Sequence, residues 1–433
     1  MGGCGGHPPF FQMKNISFLH RPLLLAFLLS STAFSDHKPS ADPRVIIGAE
    51  RLFTPEYFSL IKGKRIGLVT NHTGLLPDGR HLVDVLFKNP EVKLTMLFGP
   101  EHGIRGDADD HVADGKDQVT GLPVVSLYGK VRKPTAEMLK AVDVLIFDIQ
   151  DIGARFYTYI ATMNHVLEAA AENNIPYIVL DRPNAIGGVY VDGPLDDESA
   201  VPVTGVGQLP VVHGMSVGEL ALMFNGERKL KQLPQAKLTV IPVTNYKRKQ
   251  WYDETGLPWI KPSPNMLTLT TAAVYPATCL LEGTNVSEAR GTLHPFEHIA
   301  APWINGEALA KQLNGYKLRG VTFQKATVKP DSVVDGVRIY PPKFVGQQCE
   351  SARMTITDRN AFESARAGVY ILHALLTLYP DKVELRDKRL DNLLGTSKVR
   401  EQLKAGKSPQ EIVKQWDKGL TNFKKTRKKY LIY

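Results

Sequence analysis

Long apolar runs are nearly absent from this sequence. After residue 35 no stretch reaches the roughly 18 apolar residues that a membrane-spanning helix requires, so the mature chain is expected to be soluble. Cysteine is scarce too, with three in 433 residues. Cys4 lies in a segment expected to be discarded. That leaves Cys279 and Cys349, as either one disulfide or two buried free thiols. No internal repeats occur, which argues against a repeat architecture.

What is present is ordinary for a globular protein: 43% hydrophobic and 22% charged residues, enough for one large or two medium domains. The formal net charge is +9. Much of it sits in the last stretch, where Lys418, Lys424, Lys425, Arg427, Lys428 and Lys429 face a single acid, Asp417. No nucleic-acid-binding motif accompanies these bases. A solvated helix end, with cations favoured near its C-terminus, is the plainer reading.

Residues 13–35, MKNISFLHRPLLLAFLLSSTAFS, combine a weakly basic start, a short apolar run and Ala33-Phe34-Ser35, a small-x-small cleavage signature. Residues 1–35 therefore read as a secretory signal peptide, with Met13 as a second possible start. The mature protein is expected to be periplasmic or secreted.

Apolar strand-like runs then alternate with helical patterns. Strands are expected at 65–70, 92–98, 122–128, 143–150, 176–181 and 237–243, with helices between them. Continuous apolar strands separated by helices imply a parallel sheet covered on both faces. Ser216 with Glu219, and Ser408 with Glu411, have the spacing of helix-starting capping boxes. Beyond about residue 300 the pattern changes: RMTITD alternates like a half-exposed strand, and residues 361–380 form an amphipathic helix. A smaller α+β domain is expected there.

Ligands of such a sheet bind outside the carboxyl ends of its strands. Polar residues recur at those positions. The first strand ends in Asn71 and His72, the second in Glu101 and His102 with Arg105 nearby. The fourth ends in Asp148, Gln150 and Asp151, followed by Arg155, and the fifth in Asp181 and Arg182. Four such endings on one edge point to a cleft.

The stretch GPEHGIRG (99–106) holds one of these endings. It has neither G-x-G-x-x-G nor G-x-x-x-x-G-K-[ST], and its carboxylate would repel a phosphate. DADDHVADG, just after it, has acids without the spacing of a calcium loop. A metal held by His102, His111 and an Asp is one alternative. The favoured reading is a catalytic carboxyl, Glu101, framed by Gly99 and Gly103 and aimed at the cleft. A second polar stretch, YPATCLLEGTNVSEARGTLHPFE (275–297), carries Glu282, Asn285, Glu288, Arg290 and Glu297. It follows a Pro-rich segment around Asn265. Polar loops of this length often carry sites.

GPEHGIRG, DIQDIGARFYTYI, VLDRPN, PSPNM and EGTNVSEARGT, in this order, resemble the exo-β-N-acetylmuramidase family of NamZ type, formerly a domain of unknown function (DUF1343). The resemblance runs from about residue 46 to the C-terminus. It implies a Rossmann-like parallel-sheet domain with a second, smaller α+β domain, and a cleft between them. The division expected is 44–298 for the catalytic domain and 299–433 for the smaller one. It also implies a glycosidase that releases N-acetylmuramic acid from the non-reducing end of peptidoglycan fragments in cell-wall turnover, with Glu101 catalytic. One departure is Ala289, where glycine would be expected.

Glycoside hydrolysis usually needs two carboxyl groups. Glu282 and then Asp148 are the candidates for Glu101's partner, with Glu168 a weaker third. Substrate retention or inversion of configuration stays open, as does attack by the sugar's own acetamido group. The lactyl carboxylate of muramic acid calls for a guanidinium, and Arg105, Arg155, Arg182 and Arg290 are candidates, Arg290 first. Asn71, His72, His102, Gln150, Asp181, Asn265 and Asn285 complete the expected binding residues. No cofactor and no metal are expected. The expected partners are peptidoglycan-derived disaccharides or muropeptides, without nucleic acid or stable membrane insertion. The rival classes are a non-catalytic exported muropeptide-binding protein and a metal-dependent ester or amide hydrolase.

Overall fold

The computed structural model describes residues 43–106, 114–197, 208–340 and 342–433. The expected signal peptide and His111 lie outside the described residues.

Fourteen short strands make up the sheets among the described residues. The first six are β1 (Arg65–Thr70), β2 (Lys93–Gly99), β3 (Gly115–Lys116), β4 (Pro123–Ser126), β5 (Val144–Asp148) and β6 (Tyr177–Leu180). Then come β7 (Asp192–Leu195), β8 (Pro210–Val212), β9 (Leu238–Ile241) and β10 (His298–Ala301). The last four are β11 (Val321–Val328), β12 (Val333–Val334), β13 (Val337–Arg338) and β14 (Cys349–Ile356).

Seven strands form the main sheet in the order β3-β4-β2-β1-β5-β6-β9. All its pairings are parallel except β3 with β4. The sequence-based strands match β1, β2, β4, β5, β6 and β9, each within a few residues at its ends. Both faces are buried, as the unbroken apolar runs require. Ile66, Leu68, Val144, Ile146, Ile178 and Leu180 pack into one core. Their alternating neighbours Val69, Leu145, Phe147, Tyr177 and Val179 pack into the other.

The C-terminal part is smaller and differently built. An antiparallel sheet in the order β10-β14-β11 packs with the helices Gly306–Gly315 and Ser364–Leu378. The fold is thus mixed α/β with a parallel main sheet and a smaller antiparallel α+β unit. Both capping boxes form: Ser216 Oγ accepts from the Glu219 N–H, and Ser408 Oγ from that of Glu411. No described helix is long and apolar enough to cross a membrane.

Candidate active site

A cavity of about 630 Å³ joins the carboxyl edge of the parallel sheet to the C-terminal elements. Its sheet side begins where β2 stops at Gly99. The next turn puts His102, Gly103 and Gly106 in the left-handed region, with φ of 70°, 71° and 76°. For histidine that conformation costs about 1–2 kcal/mol. Strained backbone of this kind clusters at functional sites. The bend directs Glu101 into the cavity.

Glu101 Oε2 accepts a 2.8 Å hydrogen bond from Thr158 Oγ1, in the loop that follows β5. Tyr128, just beyond β4, is hydrogen-bonded to Glu101 as well. Burial, and then the Glu101 charge, push the Tyr128 phenol well above its ordinary range. Three strands of one sheet edge therefore converge on a single carboxyl group. Aromatic rings line the cavity beside it. Tyr275 meets Phe296 edge-on at 4.8 Å between centroids, Phe156 at 5.4 Å and Tyr157 at 5.9 Å.

The other wall comes from the second polar stretch. Glu282, in the 3-10 turn Cys279–Gly283, has one oxygen on Arg290 Nη2 at 2.6 Å and the other on Arg389. Burial alone would raise this carboxyl, but the two guanidinium groups outweigh it and hold it down at about 2. Arg290 also lies 3.5 Å from Glu288, and its guanidinium stacks over Phe296 at 5.2 Å. Glu288 is further held by Lys343 at 2.6 Å. Ala289 has φ of 61°, which explains why glycine would be expected at that position.

Of the residues expected to form the site, Glu101, Glu282, His102, Asn265 and Arg290 line this cavity. The remaining candidates are not among its lining residues. Asp148, the second choice for a catalytic partner, is fully buried and paired through both oxygens with Arg182, at 2.6 and 3.0 Å. Asn71 is buried and accepts from the Thr73 backbone and hydroxyl. Gln150 donates to the carbonyls of Asp151 and Pro183. Arg155 is buried against Asp196 at 2.9 Å and against three backbone carbonyls. Asp181 accepts from Ser216, Gly218 and Tyr433. Asn285 braces a turn through Lys382 and Glu384.

His72 and Arg105 line a different cavity, of about 560 Å³, where Arg105 pairs with Asp84 and Asp117 at 2.8 and 2.9 Å. Glu168 sits on the helix Tyr159–Glu172, beside His165, Arg228 and Lys133. Many polar groups at the sheet edge thus hold strand ends to loops. Both remaining cysteines are buried and free. Among the described residues no group of three or more His, Cys, Asp or Glu is placed to hold a metal ion.

Sequence reasoning missed several lining residues: Tyr128, Thr158, Tyr275, Lys343, Arg386 and Arg389. Thr158 lies inside the RFYTYI stretch, where a hydroxyl just ahead of a helix was a usable signal. Arg386 and Arg389 carry no local signal, being about a hundred residues downstream of Glu282.

Comparison with known proteins defines the class first. The N-terminal model of the exo-β-N-acetylmuramidase NamZ family matches residues 66–270, and its C-terminal model matches 273–433. The chain belongs to this family. It is 44% identical to the peptidoglycan β-N-acetylmuramidase NamZ of Bacillus subtilis, over 96% of this chain and 99% of that protein. Two crystal structures of DUF1343 family proteins from Bacteroides fragilis are similar throughout. One is 37% identical with a TM-score of 0.81, the other 35% with 0.71, and each comparison covers 90% of this chain and 99% of the other.

Proposed function

We propose that this protein is an exported exo-β-N-acetylmuramidase, releasing N-acetylmuramic acid from the non-reducing end of peptidoglycan fragments. Membership of the family and near full-length similarity to a peptidoglycan β-N-acetylmuramidase support the reaction class. The observation that carries the residue assignment is that Glu101 has no ion-pair partner among the described residues, whereas Glu282 and Glu288 are both held by cations.

Glu101 is the general acid in this reading. It protonates the glycosidic oxygen as the bond to the sugar's anomeric carbon breaks. Thr158 and Tyr128 hold it in place. Glu282 is ionised, but both its oxygens are committed to guanidinium groups, which weakens it as a nucleophile. One uncommitted carboxyl fits a route in which the substrate's own acetamido oxygen attacks the anomeric carbon. Water then opens that intermediate, its proton passing to the Glu101 carboxylate, and the acid is regenerated. The configuration is retained.

The test is Glu101→Gln assayed on the natural disaccharide and on aryl N-acetylmuramides. Loss of a positioned acid should lower the rate by about 10²–10⁴-fold, with less effect on an aryl group that leaves without protonation. Near-normal activity on the disaccharide would remove Glu101 from the mechanism. Wild-type protein that binds muropeptide without cleaving it would instead be a binding protein. Export rests on the N-terminal pattern, and intact-mass measurement of the native protein checks removal of residues 1–35.

A further inference from the structure

We infer that Arg386 recognises the carboxylate of the muramic acid lactyl ether; the inference rests on the muramidase reading above. Four cationic side chains line the cavity, namely Arg290, Lys343, Arg386 and Arg389. Three are already engaged. Arg290 is divided between Glu282 and Glu288. Lys343 Nζ donates to the carbonyls of Leu281 and Val286 at 3.0 and 2.8 Å and to Glu288 at 2.6 Å, which uses all three ammonium protons. Arg389 donates to Glu282.

Arg386 differs. Among the described residues its guanidinium has no ion pair and no hydrogen bond, and it is exposed. Its backbone, however, is anchored. The Arg386 N–H donates to the Gly283 carbonyl at 2.8 Å, and Leu385 bridges Thr284 across the same turn. That turn carries Glu282, so the root of Arg386 is fixed relative to the cavity wall while its five donors stay available. A planar guanidinium of this kind suits a carboxylate that binds through both oxygens.

The charge balance agrees. Among the described residues the four cations share this cavity with three carboxyl groups, Glu101, Glu282 and Glu288, so positive charge remains for an incoming anion even when Glu101 is ionised. Arg290 is poorly suited to the task, because moving it to substrate would take from each of two buried carboxylates one of its two cationic partners. Bond cleavage and anion selection then fall on separate parts of the chain, Glu101 at the sheet edge and Arg386 among the C-terminal helices.

The experiment compares kcat/KM for three aryl glycosides: the N-acetylmuramide, its lactyl methyl ester, and the N-acetylglucosaminide. Arg386→Ala should lower kcat/KM for the free acid by about 10- to 100-fold, the worth of charge-assisted hydrogen bonds. The loss should appear mainly in KM, with the neutral substrates nearly unchanged. Arg386→Lys should recover part of the loss. Equal losses on all three substrates, or an undiminished preference for acid over ester, would overturn the assignment. Wild-type protein inactive on all three would overturn the muramidase reading, a failure visible before any variant is made.

Discussion

Arg290 and Glu282 meet at 2.6 Å inside the cavity, and Arg389 closes on the other oxygen of the same carboxylate. The arrangement joins the 3-10 turn after Tyr275, the loop containing Ala289 and the helix Asp387–Leu394. Its first role is therefore architectural: it shapes one wall of the site.

Arg290→Ala should destabilise the protein by about 1.5–3 kcal/mol, because Glu282 and Glu288 each lose one of two cationic partners while mostly buried, keeping Arg389 and Lys343 respectively. Pairing Arg290→Met with Glu282→Gln should recover part of that loss by removing a buried charge left with Arg389 alone. Urea denaturation of the single and double variants measures it. A fully stable Arg290→Ala would show that the pair does not support the wall.

Acid should weaken the same wall. The Glu282 carboxyl is held at about 2 in the folded protein, below its ordinary value of 4.5. Its stabilising contribution is complete above that ordinary value and declines as pH falls towards 2. The stability difference between wild type and Glu282→Gln should therefore be largest near neutrality and shrink below pH 4.5. Chemical denaturation at several pH values reads this directly, and a constant difference would contradict the ion-pair account.

Thr158→Val removes the 2.8 Å hydrogen bond to Glu101 while keeping the shape of the side chain. A decrease of about tenfold in kcat is expected, the worth of one such bond, with KM little changed. Thr158→Ser should retain most of the activity. A change confined to KM would place Thr158 in substrate binding instead.

Cys279 and Cys349 should both react with a thiol reagent in denatured, unreduced protein. Reductant should leave the melting temperature unchanged. One fewer reactive pair, or a reductant-sensitive transition, would reveal a disulfide.

The alternation of apolar runs and helical patterns was enough to indicate the parallel sheet. The reason is physical: a strand covered on both faces must be apolar along its whole length. Both capping boxes were legible for a similar reason, since they bond residues three apart. Glu101 could be singled out because glycine turns and a strand end are local features. Glycine at position 289 was expected only from the family resemblance, and the structure supplies the physical reason, a φ of 61° at Ala289.

The partners of charged residues were a different matter. Asp148 and Arg182 each looked like cleft residues when read alone, and they neutralise one another across the sheet edge. Arg155 found Asp196 and the carbonyl of Leu393, and Arg105 found Asp84 and Asp117. A charge written in a sequence carries no indication of its counter-ion. The sequence by itself determined the sheet, its carboxyl edge and the position of Glu101, because these follow from short-range pattern. Only the tertiary structure decided that Glu282 is engaged while Arg386 has no ion pair among the described residues, because ion pairing depends on which distant segments the fold brings within a few ångströms.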